Sequence, residues 1–194
     1  MIVKKTIREI LSERSTQSIA DEAQRVPAAV LLPLYVKGGQ DYILFSKRTE
    51  NLAYHKGQIC FPGGACHKED RSLVETALRE AFEEIGVSPG DVEVLGQLDK
   101  VSTVTSNFVV SPFVGLIPYP YHFAVSTCEV TELIEVPIAA LLENGCYYEE
   151  WHTHQGQRFL GHAYRYKDKI IWGATARILK QFLDLVFREN RDGR

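Results

Sequence analysis

The chain has 194 residues, 45% hydrophobic and 24% charged, with a formal net charge of -3. Its size suits one domain that buries about 70% of its unfolded surface without staples, and it has no apolar run near the roughly 18 residues that span a bilayer, so a fibre, a disordered tail and a membrane helix are excluded. No broad basic field is available for duplex nucleic acid, so the expected partner is a small anion met by a few local cations and metals.

Residues 1–25 are expected to form a helical extension. Ile7, Ile10 and Leu11 predict a short amphipathic helix, and Ser12 to Gln17 a polar break, which caps either the domain or a partner subunit and so hints at a homodimer. Met1 to Glu9 is basic without the apolar stretch of a signal peptide, and the C-terminus carries no Ser-Lys-Leu address, so a cytoplasmic location is expected. Cys60, Cys66, Cys128 and Cys146 form no Cys-x-x-Cys pair and are expected to be reduced and packed.

Val26 to Val36 reads as a strand, Gly38-Gly39 as a turn and Tyr42 to Lys47 as the returning strand of a hairpin, followed by a polar loop from Arg48 to His55. Phe61-Pro62-Gly63-Gly64 reads as a glycine turn that lets backbone approach a metal or phosphate closely. A helix is predicted from Ser72 to Ile85, because Leu73, Val74, Ala77, Leu78, Ala81, Phe82 and Ile85 share one side at about 100° per residue. Ser72 and Glu75 have the spacing of a capping box, and Gly86 stands where a left-handed stop belongs.

On that helix Glu80, Glu83 and Glu84 fall within about 100° of arc. Like charges three and four residues apart destabilise a helix by a few tenths of a kcal/mol per pair, so three stacked acids call for cations. One reading is a solvated acidic face balanced by Arg79 and nearby lysines; the other is a site for magnesium, which takes one or two carboxylates and completes its octahedron with waters and substrate phosphate oxygens. The second implies a phosphate ester or anhydride as substrate.

Further along, Val92 to Val101 and Phe108 to Ile117 read as strands joined by the polar loop Ser102 to Asn107, and Pro118-Tyr119-Pro120-Tyr121 breaks the pattern. Val130 to Val136 is a strand, Pro137 to Leu142 a short helix, Cys146 to Trp151 and Arg158 to Tyr166 strands, and Gly173 to Arg188 a closing helix. Mixed strands between helices predict an α/β fold, a three-layer α/β/α sandwich with a mixed central sheet.

The segment Gly64 to Val87 resembles the Nudix box, Gly-x5-Glu-x7-Arg-Glu-U-x-Glu-Glu-x-Gly-U with U aliphatic. Arg79 to Val87 matches its second half, with Ala81 at the first U, while the first half is shifted: Ala65 and Arg71 stand where the pattern has glycine and glutamate, and Asp70 is the nearest acid. A similar one-residue expansion after Phe-Pro-Gly-Gly is typical of the coenzyme A diphosphatase branch, whose upstream signature is Leu-Leu-Thr-x-Arg-Ser/Ala-x3-Arg-x3-Gly-x3-Phe-Pro-Gly-Gly. Arg48, Gly57, Phe61, Pro62, Gly63 and Gly64 match it in register, whereas Phe45, Thr49 and Ala53 depart from it, Ala53 replacing its second arginine. Glu129 to Ile138 and Trp172 to Leu179 look like later family segments, so the resemblance runs from about residue 26 into the last helix, which places a Nudix hydrolase domain at 26–194.

The resemblance implies a Nudix fold and metal-dependent hydrolysis of a diphosphate in a nucleoside diphosphate derivative. Its first candidate substrate is coenzyme A or an acyl-CoA, cut into 4'-phosphopantetheine and adenosine 3',5'-bisphosphate. ADP-ribose, a nucleotide sugar or a dinucleotide polyphosphate are the alternatives within the chemistry, and a silent nucleotide-binding regulatory module is the alternative outside it. Glu80, Glu83 and Glu84 become ligands of Mg2+ or Mn2+, with Arg79 pairing with a box carboxylate, whose early-glutamate place falls here to Asp70 or Glu69. Glu129 is the loop candidate for general base, with Glu132 and Glu135 as alternatives. Arg48, Phe61, Gly63 and Gly64 are the substrate-binding candidates, and Tyr119 and Tyr121 are offered for stacking on a base.

Overall fold

The structure, a computed structural model, describes residues 4–17, 19, 22–50, 56–154 and 156–188. In chain order its helices and strands are α1 (Lys4–Ser12), β1 (Val26–Lys37), β2 (Gln40–Arg48), β3 (Ile59–Cys60), β4 (Gly63–Ala65), α2 (Leu73–Ile85), β5 (Glu93–Gln97), β6 (Val101–Ser102) and β7 (Phe108–Leu116), then β8 (Val130–Pro137), α3 (Ile138–Leu141), β9 (Tyr147–His154), β10 (Gln157–Tyr166), β11 (Lys169–Trp172) and α4 (Gly173–Leu183). A wide π-helical segment, Asp184–Arg188, extends α4. None of the described helices is long and apolar enough to cross a membrane.

The main sheet is mixed. β1 runs antiparallel to β2 and β4 and parallel to β7, β2 also pairs antiparallel with β3 and β8, and β7 with β5 and β6. β1 is apolar on both sides, the pattern of a strand covered on both faces. Ala29 and Leu31 pack with Ala77 and Ala81 of α2 on one face, while Ala28, Leu32 and Leu34 join Phe45 and, from α4, Leu179 and Phe182 on the other. The result is the α/β/α sandwich that the mixed elements predict. A second sheet, the antiparallel meander β9–β10–β11, joins the core through Tyr164 and Ile171.

Several segments differ from expectation. The strand expected over Val92 to Val101 is broken at 98–100 into β5 and β6, where Asp99 accepts from Arg14, from the Gln17 N–H and from Gln181. β9 runs to His154, past the expected end at Trp151, and β11 lies in a stretch with no predicted element. The Phe-Pro-Gly-Gly segment is not a turn: Gly63 and Gly64 are strand residues facing Val30 and Ala29 of β1. At the N-terminus Ile7 and Leu11 are buried in the main core, and Leu11 lies against Gly96 of β5, so α1 caps its own domain.

Candidate active site

Helix α2 carries the acidic ridge, and its local signals act largely as the sequence predicts. The Ser72 hydroxyl accepts the Glu75 N–H, and Gly86 closes the helix in the left-handed region at φ 73°. The reciprocal half of the capping box is displaced, since Glu75 accepts the N–H of Arg71 instead of that of Ser72. The buried side of α2 lies on β1 and β4, which sets the depth of each acid. Glu84 is 1% exposed, Glu80 13% and Glu83 51%, so the ridge descends from solvent into the domain.

Close packing of α2 on β4 accounts for the two glycines. A Cβ on Gly64 would lie 2.6 Å from the Glu80 carboxyl group, and one on Gly63 would lie 2.3 Å from the Ala29 carbonyl oxygen. Any side chain at 64 would occupy the space that the Glu80 carboxylate takes.

Arg79 is the hub of the outer half. Its guanidinium donates to Asp70 through Nε at 2.9 Å and Nη2 at 3.0 Å, and to the Ala65 carbonyl at 3.2 Å. Its Nη1 donates to Glu80 at 2.8 Å and Glu83 at 3.0 Å. Asp70 also accepts from Thr76 and from the His67 N–H, and these bonds, led by that from Arg79, hold its carboxyl well below the usual carboxylate range. Of the two acids that sequence offers as Arg79's partner, Asp70 is the one in contact; Glu69 is exposed.

The inner half is built around Glu84. Arg48, at the end of β2, reaches across the sheet and donates to Glu84 at 3.2 Å. Burial pushes the Glu84 carboxyl up to about 8, against Arg48 and the Gly63 backbone N–H but aided by Glu80 and Glu129. Burial likewise raises Glu80, with Arg79 opposing it and Glu83 and Glu129 adding to it. Of the later acids, Glu129 is the one whose charge acts on Glu80 and Glu84. Glu132 is paired with Lys169, and Glu135 with Lys37, both away from it.

Not every candidate stands where its motif suggests. Phe61 is 2% exposed with its ring stacked on Phe45 at 4.8 Å, a core residue beneath the site instead of a surface for a ligand. Tyr119 stacks on Tyr35, and the Tyr121 hydroxyl donates to Asp91 while accepting the Ser88 N–H. The position of Ala53 lies outside the described residues. Sequence reasoning missed the Arg48–Glu84 pair, for which a separation of 36 residues leaves no local signal.

Among the described residues no three acidic, histidine or cysteine side chains converge as a preformed metal cluster. The donor set nevertheless fits a hard divalent cation. Glu84 Oε2 is buried without a hydrogen-bond partner among the described residues, Glu80 and Glu84 both carry raised pKa values that a cation would relieve, and Gly64 leaves Glu80 room. The acids are carboxylates only, the oxygen chemistry that magnesium and manganese prefer.

Residues 24–155 match the NUDIX domain family. Uncharacterized Nudix hydrolases called NudL are similar along most of the chain: that of Pectobacterium atrosepticum is 40% identical over 158 residues, 81% of either chain, and that of Photorhabdus laumondii 36% identical over 159, covering 82% of this chain and 84% of its own. Among solved structures, a MutT/nudix family protein from Enterococcus faecalis has a TM-score of 0.60 at 15% identity, covering 99% of this chain and 76% of its own. The NUDIX domain of Shewanella oneidensis NrtR, solved with ADP ribose, has a TM-score of 0.50 at 20% identity, covering 69% of this chain and 84% of its own. At those identities the likeness to the two structures is one of fold.

Proposed function

The chain belongs to the Nudix hydrolases, and from that membership we propose a cytoplasmic diphosphatase that cleaves coenzyme A or an acyl-CoA into 4'-phosphopantetheine and adenosine 3',5'-bisphosphate. The observation that carries the reading is the Asp70–Arg79 pair, because the expanded loop after Phe-Pro-Gly-Gly still delivers an acid to the box arginine. That expansion, with Arg48, Gly57 and Gly63-Gly64 in register upstream, is the pattern of the coenzyme A diphosphatase branch.

Glu80, Glu83 and Glu84 are the residues that would hold magnesium or manganese. When bound, such an ion polarises the phosphorus and lowers the pKa of an attacking water. Glu129, whose charge acts on Glu80 and Glu84, is the general base that takes the proton of the attacking water. Arg79, locked by Asp70, holds Glu80 and Glu83 in their rotamers. Arg48 binds Glu84 and offers its terminal N–H groups to phosphate oxygens, Gly63 lets β4 lie close against β1, and Gly64 leaves free the space that the Glu80 carboxylate takes.

The test is anhydride cleavage with magnesium or manganese, products read by mass spectrometry, with coenzyme A, ADP-ribose, nucleotide sugars and dinucleotide polyphosphates in parallel. Metal-dependent 4'-phosphopantetheine as the strongest product is expected, and preference for another substrate would move the specificity. Glu83→Gln is expected to abolish turnover without unfolding, since Glu83 is half exposed and its ion pair is with Arg79; undiminished activity would refute the site.

A further inference from the structure

Between β2 and β8 the register slips. Lys47 faces Glu132 but Arg48 faces Val130, which leaves Thr131 as an extra residue in β8. A bulge bends its strand and re-aims the neighbouring side chains. The Thr131 hydroxyl holds this one by donating to the Lys47 carbonyl at 3.2 Å.

The next residue of the facing chain fixes the other side. Thr49 is 4% exposed, its N–H donates to the Glu129 carbonyl at 2.9 Å, and its hydroxyl donates to the Cys128 carbonyl at 3.2 Å. Ser126 completes the frame: its carbonyl accepts the N–H groups of Glu129 and Val130, and its own N–H donates to the Glu84 carbonyl at 2.9 Å. The backbone of Glu129 is therefore tied to β2 on one side and to the acidic helix on the other.

We propose that Thr49 is a positioning residue for Glu129, its buried hydroxyl and amide fixing the backbone that carries the Glu129 carboxylate toward Glu80 and Glu84. The proposal rests on reading Glu129 as the general base. Thr49 belongs to neither the acidic ridge nor its arginine clamp, and both of its bonds end on the peptide units at 128 and 129. A displacement of about 1 Å in a catalytic group costs up to about a hundredfold in rate, so a modest loosening is enough to be read kinetically.

The experiment uses the full chain with magnesium and coenzyme A, or ADP-ribose should the panel favour it. It compares Thr49→Val, Thr49→Ser, Glu129→Gln and the double variant Thr49→Val/Glu129→Gln. Thr49→Val is expected to lower kcat about tenfold with KM within about twofold. Thr49→Ser, which keeps the hydroxyl, restores most of the rate, and the double variant is no slower than Glu129→Gln alone because the residue being positioned is already lost. Losses that multiply in the double variant, a Thr49→Val effect seen mainly in KM, or no Thr49→Val effect would each overturn the positioning role while leaving Glu129 as base. A wild-type rate for Glu129→Gln would instead remove the general base reading, and the proposal with it. Melting temperatures of all four variants show that each rate belongs to folded protein.

Discussion

Asp70 has an outsized role for one short side chain on a loop. It is 4% exposed and takes four hydrogen bonds, two of them from Arg79. Replacing it with Asn leaves the buried side of the guanidinium poorly paired, and a loss of about 1–3 kcal/mol at pH 7 is expected from denaturant unfolding. Because the folded carboxyl lies below the unfolded value of about 3.9, its stabilisation is fully present above that pH and fades as pH falls toward the folded pKa. The gap between wild type and Asp70→Asn should therefore be widest at neutral pH and narrow below about pH 4, and a gap constant with pH would contradict the pairing. Asp70 also marks what a sequence can disclose at this scale. Its spacing from Arg79 departs from the box by one residue, so only the folded loop, with the His67 N–H bonded back to Asp70, chooses it over Glu69. Phe61 shows the converse, since a motif position read as ligand-facing is filled by a core ring.

At the scale of elements, α2 was the most legible because three independent signals agree: the apolar period, the Ser72 cap and the Gly86 stop. Removing the cap with Ser72→Ala should cost about 1 kcal/mol, read as a lower melting temperature with kcat unchanged. Gly64→Ala should do the opposite. Its new methyl falls on the Glu80 carboxyl group, the end of a side chain that can move, so turnover is expected to drop at least tenfold with a stability loss of about 1 kcal/mol or less. Measuring both quantities in both variants separates helix stability from helix chemistry. β11 was illegible for a physical reason. Four residues, with only Ile171 deeply buried and Ile170 and Trp172 exposed, carry too little periodicity to stand out before a glycine-led helix. The turn expected at Gly63-Gly64 failed differently: glycine there answers the approach of α2 and the β1 backbone instead of a reversal of the chain.

For the whole molecule, mixed strands set between helices are what made the layered architecture legible, whereas the N-terminal helix left two outcomes open. Its apolar residues are spent on the domain's own core, with Ile7 at 3% and Leu11 at 5% exposure. Leu11→Ala should cost about 2–5 kcal/mol, and its unfolding transition should remain single and cooperative. A second, separate transition would mean that α1 melts apart from the sheet. The ion pairs Arg8–Glu93 and Arg14–Asp99 lie on the same seam, but the first is half exposed and contributes little beside the buried leucine.

α1 packs not only on β5 but also on the π-helical segment at 184–188, and Leu185 and Val186 share its core. The parallel pairing of β1 with β7 joins residues about eighty apart. As the chain leaves the ribosome, the apolar side of α1 and one face of β1 therefore wait uncovered until α4 and its extension have been made. Closing that core brings together segments far apart in the sequence, so the loop-closure cost falls on one long-range step, and the sheet that carries the acidic ridge is completed only when α1, β1 and the α4 extension meet.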